Sequence, residues 1–278
     1  MRRDRFIDIL HNIHFHDNTL ETNDRASKLR PLIDHIQKKF IEHGGFPEHL
    51  AIDESMIPYF GKHFAKQFIR GRPIRFGYKM WAMCSKGGYL DGFDLYMGKN
   101  DETPIDNVAK IGLGGNVVLN LIKKSKLPAN HGHKIFFDNY FTSISLMEEL
   151  KTRGYLASGT CRDNRTEKCP ISEKNWMKNE PRGAVDQRMS DDILLIKWKD
   201  NKEVSIATNF DSTILKSTRR YIRNEKKYKQ IQQPACFQQY NSHMGYVDIM
   251  DQAISTYRVR IRQKNGDGQY LHICYRLL

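Results

Sequence analysis

The chain has 278 residues, 45 Lys+Arg against 32 Asp+Glu for a formal net charge of +13, and 39% hydrophobic content. This composition excludes a polar disordered chain, and no stretch approaches the roughly 18 consecutive apolar residues of a membrane span. The length suits one sizeable core or two modest ones, and the positive excess favours nucleic acid as a partner ahead of an acidic membrane surface.

The basic N-terminus, Met1 to Phe6, is followed by no apolar h-region, so no signal peptide is expected. Cys84, Cys161, Cys169, Cys236 and Cys274 are scattered and form no C-x-x-C pair. They point to a reducing compartment, with neither a zinc site nor a disulfide framework. His11, His14 and His16 read as capping and packing around a helix end, since no cysteine ligand stands beside them.

A helix is predicted over 4–12, where Phe6, Ile9 and Leu10 fall at helical spacing. A second is predicted over 28–43 on Leu29, Leu32, Ile33, Ile36 and Phe40, stopped by Gly44-Gly45 and Pro47. The period then changes to two. Residues 50–59 read as a strand, 61–75 as a basic turn-rich stretch, 76–84 as a second strand and 89–97 as a third, with Lys86-Gly87-Gly88 as a hairpin turn. A helix over 116–124, a short strand over 134–138 ending in an acid, and a helix over 143–152 closed by Gly154 follow.

The order β-β-β-α-β-α is that of a ribonuclease H-like α/β fold with a mixed sheet. Residues 155–210 then turn polar and β-like, with strands at 193–198 and 204–208, and read as an inserted β-rich subdomain. Residues 215–229 carry Lys216, Arg219, Arg220, Arg223, Lys226, Lys227 and Lys229 against the single acid Glu225, interleaved with Tyr221 and Tyr228. The strip reads as a phosphate-tracking surface or as a solvated loop. Helical spacing returns over 244–260. The expected division is a helical lead-in at 1–45, the first part of the core at 46–154, the insertion with its basic strip at 155–235, the last core segment at 236–262, and an atypical tail at 263–278.

Four aspartates stand out by position. Asp53 sits inside the apolar run Ala51-Ile52-Asp53-Glu54-Ser55-Met56-Ile57, Asp138 ends the strand at Phe137, and Asp248 and Asp251 share one helix face at i, i+3. Acids from neighbouring strands and a packed helix can converge on one spot, where mutual repulsion calls for a divalent cation. Mg²⁺ prefers such oxygen ligands, and two ions about 4 Å apart suit phosphodiester displacement. Glu54 should point to the opposite strand face from Asp53.

These residues carry a family resemblance. Ile52-Asp53-Glu54-Ser55-Met56 with Gly61-Lys62, Phe137-Asp138-Asn139-Tyr140-Phe141-Thr142-Ser143, Tyr240-Asn241, and Met244-Gly245-Tyr246-Val247-Asp248-Ile249-Met250-Asp251-Gln252 together resemble the piggyBac transposase family. Gly159-Thr160-Cys161-Arg162-Asp163-Asn164-Arg165, Lys197-Trp198-Lys199-Asp200 and the segment around His14-Phe15-His16-Asp17-Asn18 are similar to its further elements, so the likeness runs over roughly 1–262.

The resemblance implies a ribonuclease H-like DDE/DDD transposase core with a β-rich insertion before its last acid. The spacing 248 − 138 = 110 leaves room for that insertion. It implies Asp53, Asp138 and Asp248 as catalytic acids and metal ligands, with Asp251 as an additional metal-site acid. Mg²⁺ or Mn²⁺, two ions, is the implied cofactor. Double-stranded DNA, with transposon ends and a TTAA target, is the implied partner of a homodimeric full-length protein in the nucleus. The implied reaction cuts one strand at the element's end, forms a hairpin through the freed 3′-hydroxyl, and later joins target DNA. Arg162 and Arg165 match basic positions expected to contact DNA and read equally as ordinary phosphate anchors. Arg219, Arg220, Arg223, Lys226 and Lys227 are further expected DNA contacts.

The sequence also departs from the family. Gly245-Tyr246 replaces the usual Gly-Gly before Val-Asp, and Gln263 to Tyr270 replaces a Lys-Trp-rich helix. Most of the N-terminal dimerisation and DNA-binding region and the C-terminal cysteine-rich zinc domain are expected to be missing. The alternative expectation is therefore a domesticated or degenerate derivative that binds DNA or a partner protein without catalysis.

Overall fold

The computed structural model describes residues 2–17, 19–20, 23–71, 73–98, 110–171 and 174–257. The expected tail at 263–278 and the end of the last predicted helix lie outside them. Two helices lead in, α1 (Arg3–Asn12) and α2 (Arg30–His43), and Pro31 in the first turn of α2 suits a position whose N–H needs no partner. The strands β1 (His49–Pro58), β2 (Gln67–Phe68), β3 (Phe76–Ser85) and β4 (Tyr89–Leu95) follow. Then come α3 (Gly112–Lys124), β5 (Lys134–Phe137), α4 (Ile144–Thr152) and β6 (Leu156–Thr160).

These elements build one mixed sheet. β3 lies antiparallel to β1 and carries β2 and β4 on its outer edge, while β1, β5 and β6 run parallel. A short helix α5 (Lys174–Asn179) leads to β7 (Val185–Ser190), β8 (Ile193–Lys199) and β9 (Glu203–Thr208). β9 pairs antiparallel with β6, and β8 and β7 continue the sheet outward. The basic strip is a two-stranded ribbon of its own, β10 (Leu215–Ile222) against β11 (Lys227–Pro234). α6 (Ala235–His243) and α7 (Tyr246–Tyr257) close the described chain.

Hydrophobic side chains cover both faces of the sheet, as an α/β layer arrangement requires. On one face Leu50, Ile52, Ile135 and Phe137 pack with Val118 and Leu121 of α3 and Leu146 and Leu150 of α4. On the other, Ala51, Ile57, Met80 and Ala82 pack with Ile33 and Ile36 of α2 and Val247 and Met250 of α7. A third cluster joins Ile196 and Trp198 of β8 and Ile206 of β9 to Ile231 of β11 and Phe237 of α6.

Two glycines fix how the layers meet. Gly88 takes φ +80 in the β3–β4 turn, and a Cβ there would sit 2.6 Å from the Met250 nitrogen, so α7 lies directly on the hairpin. A Cβ on Gly114 would sit 2.4 Å from the Tyr140 carbonyl oxygen. The first turn of α3 thus abuts the loop after β5, and the helix begins four residues earlier than the apolar period predicts.

Asp91 of β4 is a buried acid in this core, 1% exposed, with Oδ2 lacking a hydrogen-bond partner. Burial raises its pKa to about 6, against the lowering effect of hydrogen bonds from Ser85. Between the unfolded carboxyl value of 3.8 and about 6, the folded state holds a proton that the unfolded state has released. Stability therefore falls as pH rises through that window and stays reduced above it. Asp91→Asn is expected to raise the melting temperature at pH 8 and to leave it nearly unchanged at pH 4. Equal shifts at both pH values in thermal denaturation would show that the ionised carboxylate carries no such cost.

Candidate active site

The site begins with the register of two parallel strands. Ala51 pairs with Phe136 and Ile52 with Phe137, so the next positions on the two strands are Asp53 and Asp138. Residues in register on adjacent strands about 4.8 Å apart project from the same face. The two acids therefore stand side by side at the carboxyl end of β5, where ligands bind in open α/β sheets. Both are half-buried.

Local hydrogen bonds set each carboxylate. The Tyr140 N–H donates to Asp138 Oδ1 at 2.8 Å, and the Thr142 hydroxyl donates to the Asp138 carbonyl oxygen at 2.9 Å, making a tight turn after β5. The Glu54 N–H donates to Asp53 Oδ1 at 2.7 Å.

α7 covers this face of β1 and brings Asp251 to it. Ser55, two residues beyond Asp53 and on the same face, donates its hydroxyl to Asp251 Oδ1 at 2.6 Å. Buried Cys84 lies beneath, its pKa pushed up first by burial and then by the negative charges of Asp91, Asp251 and Asp53. Asp248, one turn earlier on α7, is exposed. Among the described residues, no three of the His, Cys, Asp and Glu side chains converge closely enough to hold a metal ion. The strand register thus runs toward Asp53 and Asp138 together, Ser55 bonds Asp251, and Asp248 is exposed.

The donor chemistry of the Asp53–Asp138 pair fits a hard divalent cation, which takes carboxylate oxygens and keeps waters for phosphate. Asp248 is exposed, and Asp251 accepts from Ser55. Tyr246, the departure from Gly-Gly, is absorbed as a core side chain, 7% exposed and packed edge-on to His243 at 5.8 Å. Gly245 has open space around its Cα, so no close backbone approach depends on it.

Glu54 lies on the opposite face. It pairs with Lys79 at 2.6 Å, and the Lys79 ammonium sits 3.9 Å from the Trp81 ring centroid and 5.0 Å from that of Tyr140. Trp81 and Tyr140 stack at 5.5 Å, so the loop after Asp138 is clamped from below by aromatic and cation–π contacts.

Arg162 and Arg165 meet the same loop. Arg162 Nε donates to Asn139 Oδ1 at 2.8 Å. Arg165 Nη1 donates to the carbonyl oxygens of Asn139 at 3.3 Å and Thr142 at 3.4 Å, and also to that of Tyr140. Arg165 is therefore occupied in holding the turn that aims Asp138, whereas Arg162 is exposed. Tyr240 of α6 feels the charge of both acids. Its pKa is pushed up to about 12, first by burial and further by the charges of Asp138 and Asp53, and its hydroxyl lies 3.4 Å from Thr160 Oγ1. The Ser55 bond to Asp251 and the buttressing role of Arg165 escape sequence reasoning; Ser55 is hinted at only by its place in the Asp53 motif, and Arg165 only by its place in the Gly159–Arg165 element.

The basic strip is an exposed ribbon. Tyr221 and Tyr228 pair across it at 5.2 Å, and the Arg219 guanidinium covers Tyr228 at 4.3 Å. Strand alternation turns Arg220 the other way, 3.4 Å from Asp200 and toward Trp198. Arg219, Arg223, Lys226 and Lys227 are exposed, with Lys227 2.8 Å from Glu225.

α6 is held to β1 by an imidazole stack. The His49 and His243 rings lie parallel at 4.0 Å, and His243 continues onto Phe136 at 4.9 Å.

Similarity to known proteins agrees with this geometry. A family model described as Transposase IS4 matches residues 1–278. The human piggyBac transposable element-derived protein 3 is 38% identical over 282 residues, covering 100% of this chain and 47% of that protein. The human piggyBac transposable element-derived protein 2 is 36% identical over 266 residues, covering 94% of this chain and 44% of that protein. The chain thus spans about half the length of the curated relatives it matches. A cryo-EM structure of the piggyBac transposase synaptic complex with hairpin DNA superimposes with a TM-score of 0.78 at 24% identity, covering 100% of this chain and 55% of that chain. That likeness establishes the ribonuclease H-like fold.

Two predictions follow from the geometry around the acids. Arg165→Ala should loosen residues 139–142, speeding their amide hydrogen exchange and costing about 1–3 kcal/mol of stability; unchanged exchange there would refute the buttressing role. His49 has its pKa lowered, first by burial and then by His243, against the raising effect of Glu48. Its neutral form is thus preferred in the folded state, and stability is lost as pH falls below the ordinary histidine value of 6.5. His49→Gln should flatten the decline in melting temperature between pH 7 and 5, and an identical slope in the variant would discount the stack.

Proposed function

We propose a function from one premise: the chain belongs to the piggyBac-type IS4 transposase family. It is the core of a DNA strand-cleaving and strand-transferring protein, acting on double-stranded DNA at transposon ends and TTAA targets. The observation that carries this reading is the β1–β5 register, which sets Asp53 beside Asp138 at the carboxyl edge of the sheet. A carboxylate pair at that edge, on a chain of charge +13, suits a phosphodiester held in a basic envelope.

In the proposed cleavage, a water oxygen bonds to phosphorus, the bond from phosphorus to the 3′ oxygen breaks, and the 3′-hydroxyl leaves with a proton. That hydroxyl then attacks a phosphorus of the opposite strand, displacing the 3′ oxygen there to close a hairpin. A second water reopens the hairpin at that phosphorus, and the freed 3′-hydroxyl displaces a 3′ oxygen of the target strand. Asp53 and Asp138 would hold Mg²⁺ or Mn²⁺, which when bound supplies charge neutralisation and Lewis acidity at the phosphate. Arg165 keeps the Asp138 turn in place, and the neutral Tyr240 hydroxyl offers a hydrogen-bond donor near the acids. Arg162, Arg219, Arg223, Lys226 and Lys227 would contact DNA phosphates, while Arg220 supports the ribbon from behind. The proposed setting is the nucleus, with a homodimer acting on paired ends.

A second reading has its own observation. Asp248 is exposed and Asp251 is engaged by Ser55, which suits a derivative that binds DNA without cutting it. The two readings separate on a duplex with TTAA-flanked ends incubated with the purified chain and Mg²⁺ or Mn²⁺. Nicking by the wild type that falls to background in Asp53→Asn and in Asp138→Ala is expected. Binding without nicking assigns the non-catalytic reading, and nicking indifferent to both substitutions overturns the assigned site.

A further inference from the structure

Between β1 and β3 the chain makes an arm whose composition the acid site does not explain. Residues 60–76 hold Lys62, Lys66, Arg70, Arg72 and Arg75 and no acid. The same segment displays four phenylalanines to solvent: Phe60 is 81% exposed, Phe64 60%, Phe68 59% and Phe76 41%. Phenylalanine is a costly residue to leave in water, and soluble domains seldom concentrate it on their surface without a binding role.

The described residues of the arm, 60–71 and 73–76, form a folded structure. The Tyr59 N–H donates to the Phe76 carbonyl oxygen at 3.2 Å, and the Ile69 N–H to that of Arg75 at 2.9 Å. Phe68 and Phe76 face each other across the β2–β3 register with ring centroids 4.9 Å apart. Cations are set against the rings, with Arg25 5.7 Å from the Phe64 centroid and Lys66 5.8 Å from that of Phe76. Lys66 also donates to the Gly61 carbonyl oxygen at 2.8 Å, tying the loop together.

Exposed rings interleaved with cations and free of acids complement a ligand that has both flat apolar faces and negative charge. Duplex DNA presents its charge but buries its base faces in the stack. An unpaired strand presents both. We propose that the arm formed by 60–71 and 73–76 is a stacking platform for unpaired DNA bases, with Lys62, Lys66, Arg70 and Arg75 tracking the adjoining phosphates.

The placement suits this role. β1 runs on from Asp53 to Pro58 before the arm begins, five residues or about 17 Å along the strand at a rise of roughly 3.3 Å. That equals about five nucleotides at roughly 3.4 Å per stacked nucleotide. The platform therefore lies past the same edge of the sheet that holds the acid pair, where a strand opened near the pair would emerge. The inference rests on the DNA reading of the previous section and narrows it to a second, single-stranded surface.

Fluorescence anisotropy of the full chain with a labelled oligothymidine and with a duplex of equal length tests it. Phe60→Ala/Phe64→Ala is expected to weaken oligothymidine binding about 10- to 100-fold, the scale of one to two stacked bases. Duplex affinity and melting temperature should stay unchanged. Phe64→Tyr should keep single-strand affinity, and Phe64→Trp should show tryptophan fluorescence quenched by the oligonucleotide. Equal loss on both DNAs, no loss on either, or an unquenched Trp would overturn the platform, as would an Ala-sensitive dimer in sedimentation, which gives the face to a second copy. Duplex binding and nicking without single-strand binding would sink this inference alone. Phe-dependent single-strand binding without nicking would sink only the catalytic reading.

Discussion

Everything around the acids depends on the alignment of β1 with β5. Parallel strands cannot be joined by a tight turn, so their register is fixed by packing rather than by the connection. Here the packing is Leu50, Ile52, Ile135 and Phe137 beneath the sheet and Ala51 and Phe136 above it. A slip by one residue would turn Asp53 into the core and expose Ile52. The cost of burying an unpaired carboxylate and exposing a large aliphatic group makes the observed alignment decisive.

The two faces of β1 then do different work. On one, Asp53 and Ser55 meet α6 and α7. On the other, Glu54 neutralises Lys79, which lies over Trp81 and Tyr140. Because Tyr140 belongs to the turn after Asp138, the second face stabilises the geometry of the first. Arg165 closes the same turn from β6's side through three carbonyl oxygens. An acid at a strand end would otherwise sit on a mobile loop, and here it is held from two directions.

Much of this was legible in the sequence, for identifiable reasons. The lead-in helices, the three antiparallel strands, β5 and α4 followed from apolar period and turn chemistry, and the motif acids marked the strand positions that matter. The ribonuclease H-like order and the family resemblance both hold. The rest depends on contacts between distant segments. α3 starts on glycines that read as a loop until Tyr140 is seen against Gly114. α6 has few apolar residues, and its burial comes from Cys236 and Phe237 meeting β8 and β9. The strip at 215–229 offered two readings because an exposed ribbon lacks the one-sided apolar alternation of a half-buried strand. The strand and helix positions of the four acids, with the family resemblance, suggested a single gathering, whereas Asp248 is exposed and Asp251 accepts from Ser55.

The junction between β11 and α6 has a mechanical consequence. β11 ends at Pro234 and α6 begins at Ala235, with no residue of slack between ribbon and helix. The ribbon is thus a lever whose fulcrum lies at the third core cluster, where Ile231 and Phe237 pack with β8 and β9. Its far arm carries the exposed cations, and its near arm carries Tyr240 and His243 over the acid-bearing strands. A load on the cationic tip would therefore meet α6 with no intervening loop to absorb it.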